Sequence, residues 1–173
     1  MMDFFDVVRA RHSIRAFTAQ PIEPEKLQTI LDAANRAPSA GNLQAYEIYA
    51  VTNPQVLRAL TRAAFEQEFI AQAPIALVFC AHPARSAGKY GKRGVSLYCV
   101  QDATIACAYA QLAATALDLA SVWVGAFNDD LARAAIGVGQ DLLPVAILPM
   151  GYPGKAPKIR PRRALEELVR WVK

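Results

Sequence analysis

An α+β fold is what this sequence predicts, and three observations predict it. Two runs of strand-forming residues, Tyr46–Val51 and Ile75–Ala81, are bounded by turn residues, and the second is continuously apolar, as a central strand is. A long stretch, residues 95–119, has helix length, and its alanine-rich part is apolar nearly all round. Helices and strands then follow one another without a regular βαβ rhythm, which argues against a parallel doubly wound sheet.

The elements are expected in this order. Residues 4–11 form a short helix. Leu27, Ile30, Leu31 and Ala34 recur at helical spacing, so residues 25–36 form a second, with Pro24 in its first turn and Pro38 as its stop. Pro38-Ser39-Ala40-Gly41-Asn42 is a loop of turn residues. After the strand at 46–51, Asn53 caps a helix that begins at Pro54 and reaches about Phe65. Residues 88–94 are a glycine- and lysine-containing loop. One long helix then fills 95–119. Eight alanines lie between Ala103 and Ala120, so this helix must be covered on most sides, and a second subunit is the expected source of that cover. A strand at 121–126, a helix at 129–136, a strand at 145–150, and a short amphipathic piece at 165–172 complete the chain.

A chain of 173 residues suits one domain, expected here to span 1–173, and can bury roughly 70% of its unfolded surface without staples. The net charge of +4 is mild and does not by itself imply nucleic acid. Cys80, Cys99 and Cys107 are odd in number, lack a Cys-x-x-Cys spacing and sit in apolar stretches. They read as reduced core residues of a cytoplasmic protein. The acidic and basic residues Asp3, Asp6 and Arg9 exclude a signal peptide over the first residues, and the most apolar stretch is too short to span a membrane.

Conventional catalytic machinery is sparse. The only histidines, His12 and His82, do not cluster with other metal ligands, so no metal site is expected. A Gly-x-Ser-x-Gly elbow and a Walker A loop are missing, and Gly137-Val138-Gly139 lacks the remainder of a dinucleotide fingerprint. An enzyme of this composition must import its chemistry with a cofactor. Four segments could receive one. Arg11-His12-Ser13-Ile14-Arg15 is either a solvated helix end or a phosphate site, since arginine forks match phosphate oxygens. Lys155, Lys158, Arg160, Arg162 and Arg163 form a run without an acid: a basic tail, a nucleic-acid arm, or part of a folded phosphate site, the last favoured by the stiffening Pro157 and Pro161. Pro38 to Gln44 combines small residues with amides that can bond a heterocycle edge, and is otherwise a plain turn. Trp123-Val124-Gly125-Ala126-Phe127 permits close backbone approach, and is otherwise a buried strand end.

In this order the segments resemble the nitroreductase family of flavoproteins. Arg11-His12-Ser13-Ile14-Arg15 resembles its Arg-x-Ser-x-Arg motif, and Pro38 to Gln44 its Pro-Ser-x-x-Asn-x-Gln loop. Gln101-Asp102, followed by the alanine-rich helix, is similar to its Gln-Asp-Ala helix, Trp123 to Phe127 to its Trp-x-Gly-x-Phe segment, and Leu148-Pro149-Met150-Gly151-Tyr152-Pro153 with Arg160-Pro161-Arg162 to its closing motifs. The resemblance implies an α/β/α sandwich with a mainly antiparallel central sheet, built as an intertwined homodimer that binds FMN between its protomers. It implies that Arg11, His12, Ser13, Arg15, Arg160 and Arg162 hold the FMN phosphate and ribityl chain. Pro38, Ser39, Ala40 and Asn42 would reach the partner's flavin, Gln67 would face its pyrimidine edge, and Val124, Gly125 and Ala126 would line the ring. The implied activity is ping-pong reduction of a nitroaromatic, quinone or similar small acceptor, with NADH or NADPH as donor, no catalytic side chain, and neither nucleic acid nor membrane as partner. Other implied roles are a reductase or dehydrogenase of a different specialised substrate, and a non-catalytic flavin-binding protein. One departure stands out: Asp118-Leu119-Ala120-Ser121 replaces the family's Gly-Leu-Gly, so a tight turn must be made without glycine.

Overall fold

A computed structural model describes residues 2–157 and 159–173. Four strands, β1 (Tyr46–Val51), β2 (Ile75–Ala81), β3 (Ala120–Ser121) and β4 (Leu143–Gly151), form an antiparallel sheet in the order β1-β2-β4-β3. All seven β2 residues are buried, as the apolar run requires of a strand covered on both faces. Its alternate side chains feed two cores. Ile75, Leu77 and Phe79 join Ile30 and Ala34 of α2 (Pro24–Asn35) and Ala103, Ala106 and Ala110 of α6 (Cys99–Ala116). Ala76, Val78 and Cys80 join Leu57 and Leu60 of α3 (Pro54–Ala63) and Ile70 of α4 (Phe69–Gln72). The remaining helices are α1 (Phe4–Ala10), α5 (Pro83–Arg93), α7 (Asp129–Ile136) and the one-turn α8 (Leu165–Leu168). The result is the expected α/β/α sandwich.

Local chemistry explains the boundaries. Asp3, Asn53 and Asn128 cap α1, α3 and α7 by accepting the N–H of Asp6, Gln55 and Leu131 at 2.8, 2.8 and 3.0 Å. Helix α6 ends without glycine: Asp118 takes the left-handed conformation at φ 62°. Its N–H donates to Thr115 O and that of Leu119 to Ala114 O, the paired bonds of a Schellman close. Aspartate is among the few residues that tolerate this backbone.

Three expectations fail, two through close packing and one through a missing hydrogen-bond donor. Residues 88–94 are not a loop: Pro83 opens α5, which runs to Arg93 with a kink at Gly91. The long helix does not start at 95 either, since a wide π turn fills Gly94–Tyr98 before α6. A Cβ on Gly94 would lie 2.6 Å from Ser86 O, so α5 and this turn close on each other through glycine. The expected strand at 121–126 stops at Ser121 and resumes only as an isolated Val124–Ile147 bridge. Val122 N–H reaches Pro149 O at 3.4 Å, but Pro149 has no N–H to return, and the ladder lapses.

Candidate functional site

The chain beyond α1 supplies the first wall of the site. Arg11 N–H closes the helix on Val7 O at 2.9 Å, after which residues 11–17 run extended along the sheet edge. Ile14 N–H donates to Ser121 O at 3.1 Å, Thr18 N–H to Tyr152 O at 2.9 Å and Gly154 N–H to Ala16 O at 2.8 Å. These bonds bring the segment after β4 alongside the segment after α1. Arg11, His12, Ser13, Arg15, Arg160 and Arg162 consequently line one cavity of about 350 Å³, although the two groups are far apart in sequence. No carboxylate lines it. Arg11 is half-buried, and burial, followed by the facing charge of Arg162, pulls its pKa below the usual arginine value. Cations held together without an acid can receive an anion. Lys155, which was grouped with these arginines in sequence, lines an adjoining cavity with Ser13 and Arg15. Arg163 turns instead to Glu167, at 3.1 Å. Lys158 lies outside the described residues.

A second wall adjoins the first. The Arg15 guanidinium stands 5.9 Å over the Phe69 ring. Two residues earlier, Gln67 Nε2 donates to Ala64 O at 2.9 Å and Ala126 O at 3.3 Å, tying the α3–α4 turn to the segment after β3. The Gln67 amide nitrogen is thus committed to carbonyls, leaving Oε1 as its free polar atom. Val124 is buried and exchanges bonds of 2.9 and 3.0 Å with Ile147, whereas Gly125 and Ala126 are exposed. Among the described residues, the Gly125 and Ala126 N–H groups meet no acceptor.

The Pro38 to Gln44 turn lies elsewhere in the same protomer. Pro38, Ser39 and Ala40 border a cavity of about 440 Å³ with Tyr98, Gln101 and Thr104, and Asn42 borders a different, polar one with Asp32 and Arg36. Neither group reaches the arginine cavity of its own chain. The turn is tightly specified. Gly41, Asn42 and Gln44 have φ of 58°, 60° and 41°, and Ser39 Oγ accepts Gln44 N–H at 3.0 Å. Asp102, only 2% exposed, holds it from below: its carboxylate accepts Ala40 N–H at 2.8 Å and Ala45 N–H at 3.3 Å. The expected site residues did not include Asp102. The signal for it is a single acid inside an alanine-rich apolar helix, since an acid is rarely buried without donors to satisfy it.

The reactive groups available are few. Burial raises the thiol pKa of Cys80 to about 12, and pushes Cys99 and Cys107 up as well, so none offers a thiolate near neutrality. Among the described residues, no group of three or more His, Cys, Asp or Glu could hold a metal ion. No helix among them is long and apolar enough to cross a membrane. What the cavity offers is cations and hydrogen-bond donors rather than a nucleophile.

Known proteins share this fold. NADH dehydrogenase of Thermus thermophilus is 30% identical over 188 aligned positions, which cover 93% of this chain and 92% of that protein. A nitroreductase family protein of Clostridium difficile superposes with a TM-score of 0.87 at 32% identity, covering 99% of each chain. NADPH:FMN oxidoreductase of Vibrio harveyi, solved with NAD+, superposes at 0.89 with 26% identity, covering 98% of this chain and 77% of that one. The model of the nitroreductase family matches residues 8–152, and with that match across the arginine segment, both cores and the sheet, the chain belongs to the nitroreductase family.

Proposed function

We propose that residues 1–173 form one FMN-binding domain and that two copies make a cytoplasmic NAD(P)H oxidoreductase. The observation that carries this reading is the acid-free cavity shared by Arg11, His12, Ser13, Arg15, Arg160 and Arg162. These residues hold the FMN phosphate, whose charge offsets the burial and, after it, the facing charge of Arg162 that lower the Arg11 pKa. FMN, when bound, accepts a hydride from NADH or NADPH and passes the electrons to a nitroaromatic, quinone or similar small acceptor.

The protein's part is placement and electrostatics. The free N–H groups of Gly125 and Ala126, beside the bridged Val124, would donate hydrogen bonds to a bound flavin and so favour its more negative reduced form. Gln67 presents Oε1 to the pyrimidine edge. Pro38, Ser39, Ala40 and Asn42 approach the flavin of the second protomer, consistent with their place in cavities apart from their own arginine cluster. Support for the dimer comes from apolar surface: Tyr109 on α6 is 40% exposed, and Leu165, Leu168 and Trp171 on the closing segment are 63–86% exposed. Three buried free cysteines suit a reducing compartment. Donor and acceptor would use the site in turn, which predicts parallel lines in double-reciprocal kinetics. The relatives named for NADPH, NADH and FMN support the same donors and cofactor here.

Equilibrium binding of FMN to the purified protein tests the reading. Nanomolar to micromolar uptake is expected, with affinity falling about 10-fold or more in Arg11→Ala and Arg162→Ala, at about 1.5–3 kcal/mol per charge-assisted contact. Protein that neither carries nor takes up FMN ends the proposal.

A further inference from the structure

From Phe69 to Gln101 the chain carries no aspartate or glutamate and four strong cations, Arg85, Lys89, Lys92 and Arg93. Arg85 is engaged by Glu47 at 2.7 Å. Among the described residues the other three, all exposed in the second half of α5, make no ion pair. Two of them are held by rings. The Lys89 ammonium stands 5.5 Å over Tyr90, Tyr90 meets Tyr98 edge to face at 5.0 Å, and the Arg93 guanidinium lies 5.4 Å over Tyr98. Arg93 Nε also donates to the Tyr98 hydroxyl at 3.0 Å. The negative faces of the rings attract both charges, so a cation sits at each end of a tyrosine pair. This array abuts the Pro38 to Gln44 turn at two points. A Cβ on Gly41 would lie 2.5 Å from Lys89 Nζ and 2.6 Å from the Tyr90 hydroxyl, so glycine there admits both tips. Tyr98 borders the cavity of about 440 Å³ together with Pro38, Ser39 and Ala40.

The position gives the charges a use. The turn they abut is the one proposed to approach the flavin of the second protomer. The phosphate of FMN already has the arginine cavity, which no α5 residue lines. Three uncommitted cations beside the ring therefore suit a second anion, and the electron donor is one. NADH and NADPH both carry a pyrophosphate, and NADPH adds a phosphomonoester on its adenosine ribose. We infer that Lys89, Lys92 and Arg93 receive the phosphates of the pyridine nucleotide seated at the second protomer's flavin and, through the extra phosphate, select NADPH over NADH. This inference rests on the proposed function. Lysine meets a phosphate as a point charge and arginine as a planar fork. Because the three are exposed, water and salt screen them, and each contributes less than a cation of the arginine cavity.

The test uses the FMN-loaded full-length protein as wild type, Lys89→Gln, Lys92→Gln, Arg93→Gln and Lys92→Arg. Stopped-flow reduction of the flavin by NADPH and by NADH gives a dissociation constant and a limiting rate for each donor. Wild type is expected to bind NADPH about 10-fold or more tighter than NADH. Each Gln variant should cut that ratio about 3- to 5-fold, through the dissociation constant rather than the limiting rate, and Lys92→Arg should restore it. Raising salt from about 20 to about 300 mM should shrink the ratio in wild type. In competition with NADPH, 2′,5′-ADP should bind wild type more tightly than 5′-AMP. Lys92 makes no hydrogen bond or ring contact among the described residues, so its variants keep the test open where Lys89→Gln or Arg93→Gln does not fold. Equal affinity of wild type for the two donors overturns the inference and leaves the proposed FMN chemistry standing. Equal losses for both donors in the Gln variants overturn the selection of NADPH. Salt-dependent binding of an oligonucleotide without a donor preference overturns it too, by assigning the cations to nucleic acid. Failure of wild type to take up FMN defeats the proposed function and this inference together.

Discussion

The two ends of α6 are tied down by the same electrostatic logic and with opposite economy. At the N-terminal end, Asp102 sits in the first helical turn, where a negative charge faces the positive end of the helix dipole. It is buried, and its carboxylate spans two backbone N–H groups of the Pro38 to Gln44 turn. At the other end, Lys26 Nζ donates to Leu117 O at 3.3 Å, a positive charge at the negative end. Lys26 also donates to the Tyr152 hydroxyl at 2.7 Å, which in turn donates to the Glu23 carboxylate. Water reaches this second tie and can replace its partners. Water cannot reach the first, so its loss leaves orphaned donors. Burial, not the sign or strength of the charge pair, decides which tie the fold depends on.

The largest effect is expected from breaking the buried tie. Asp102→Ala strands two N–H groups and should cost about 2–6 kcal/mol, at 1–3 each, read from the urea midpoint at constant m-value. It should also loosen the turn bearing Ser39, Ala40 and Asn42. A change below 1 kcal/mol would remove the contrast between the two ends.

Sharpening the far end has a smaller and opposite effect. Asp118→Gly places the residue best suited to φ 62° at the helix close and removes a negative charge from the negative end of α6. A gain of about 0.5–1 kcal/mol is expected in the same denaturation experiment, less than the left-handed strain alone because glycine costs entropy when it folds.

The smallest effect belongs to Lys26→Met, and its pH dependence identifies it. The Tyr152 hydrogen bond, more than the nearby Glu23 charge, raises the Lys26 pKa above the ordinary 10.5. A raised folded-state pKa means the stabilisation is fully present below 10.5 and is lost as pH climbs through the folded value. A slight deficit relative to wild type should hold from pH 7 to 9.5 and vanish in more alkaline solution. A deficit that grew with alkalinity would reverse the assigned sign.

What could be read from residues alone follows the same division between self-contained and contact-dependent features. Tyr46–Val51, Ile75–Ala81 and Asp129–Ile136 were legible to the residue, because β-formers between turn residues, or an Asn cap and a closing Gly137, define them locally. Helix α5 was hidden behind Gly88 and Gly91: the close packing of Ser86 on Gly94 holds the segment despite the low propensity of Gly88, and Gly91 kinks it at φ 52°. The end of β3 was hidden because Pro149 acts across the sheet, on a strand distant in sequence. Among the candidate site residues, the two arginine groups were legible as cation-rich segments, and their meeting at one cavity depended on the bonds that lay residues 11–17 beside Tyr152 and Gly154. Asp102 escaped because its part is played through burial, although a lone acid inside an alanine-rich helix was the signal for it.

Pro149 also bears on how these molecules behave when crowded. A sheet grows into aggregates by offering unpaired strand edges to other chains. The β3 side offers two residues, and the Ser13 bridge to Ser121 already covers part of them. The opposite border, β1, carries Glu47 at its second position, joined to Arg85 at 2.7 Å, and that charge discourages a foreign strand from docking. One proline and one ion pair thus leave the sheet closed to polymerisation on both sides, and concentrated solutions should stay free of fibrils.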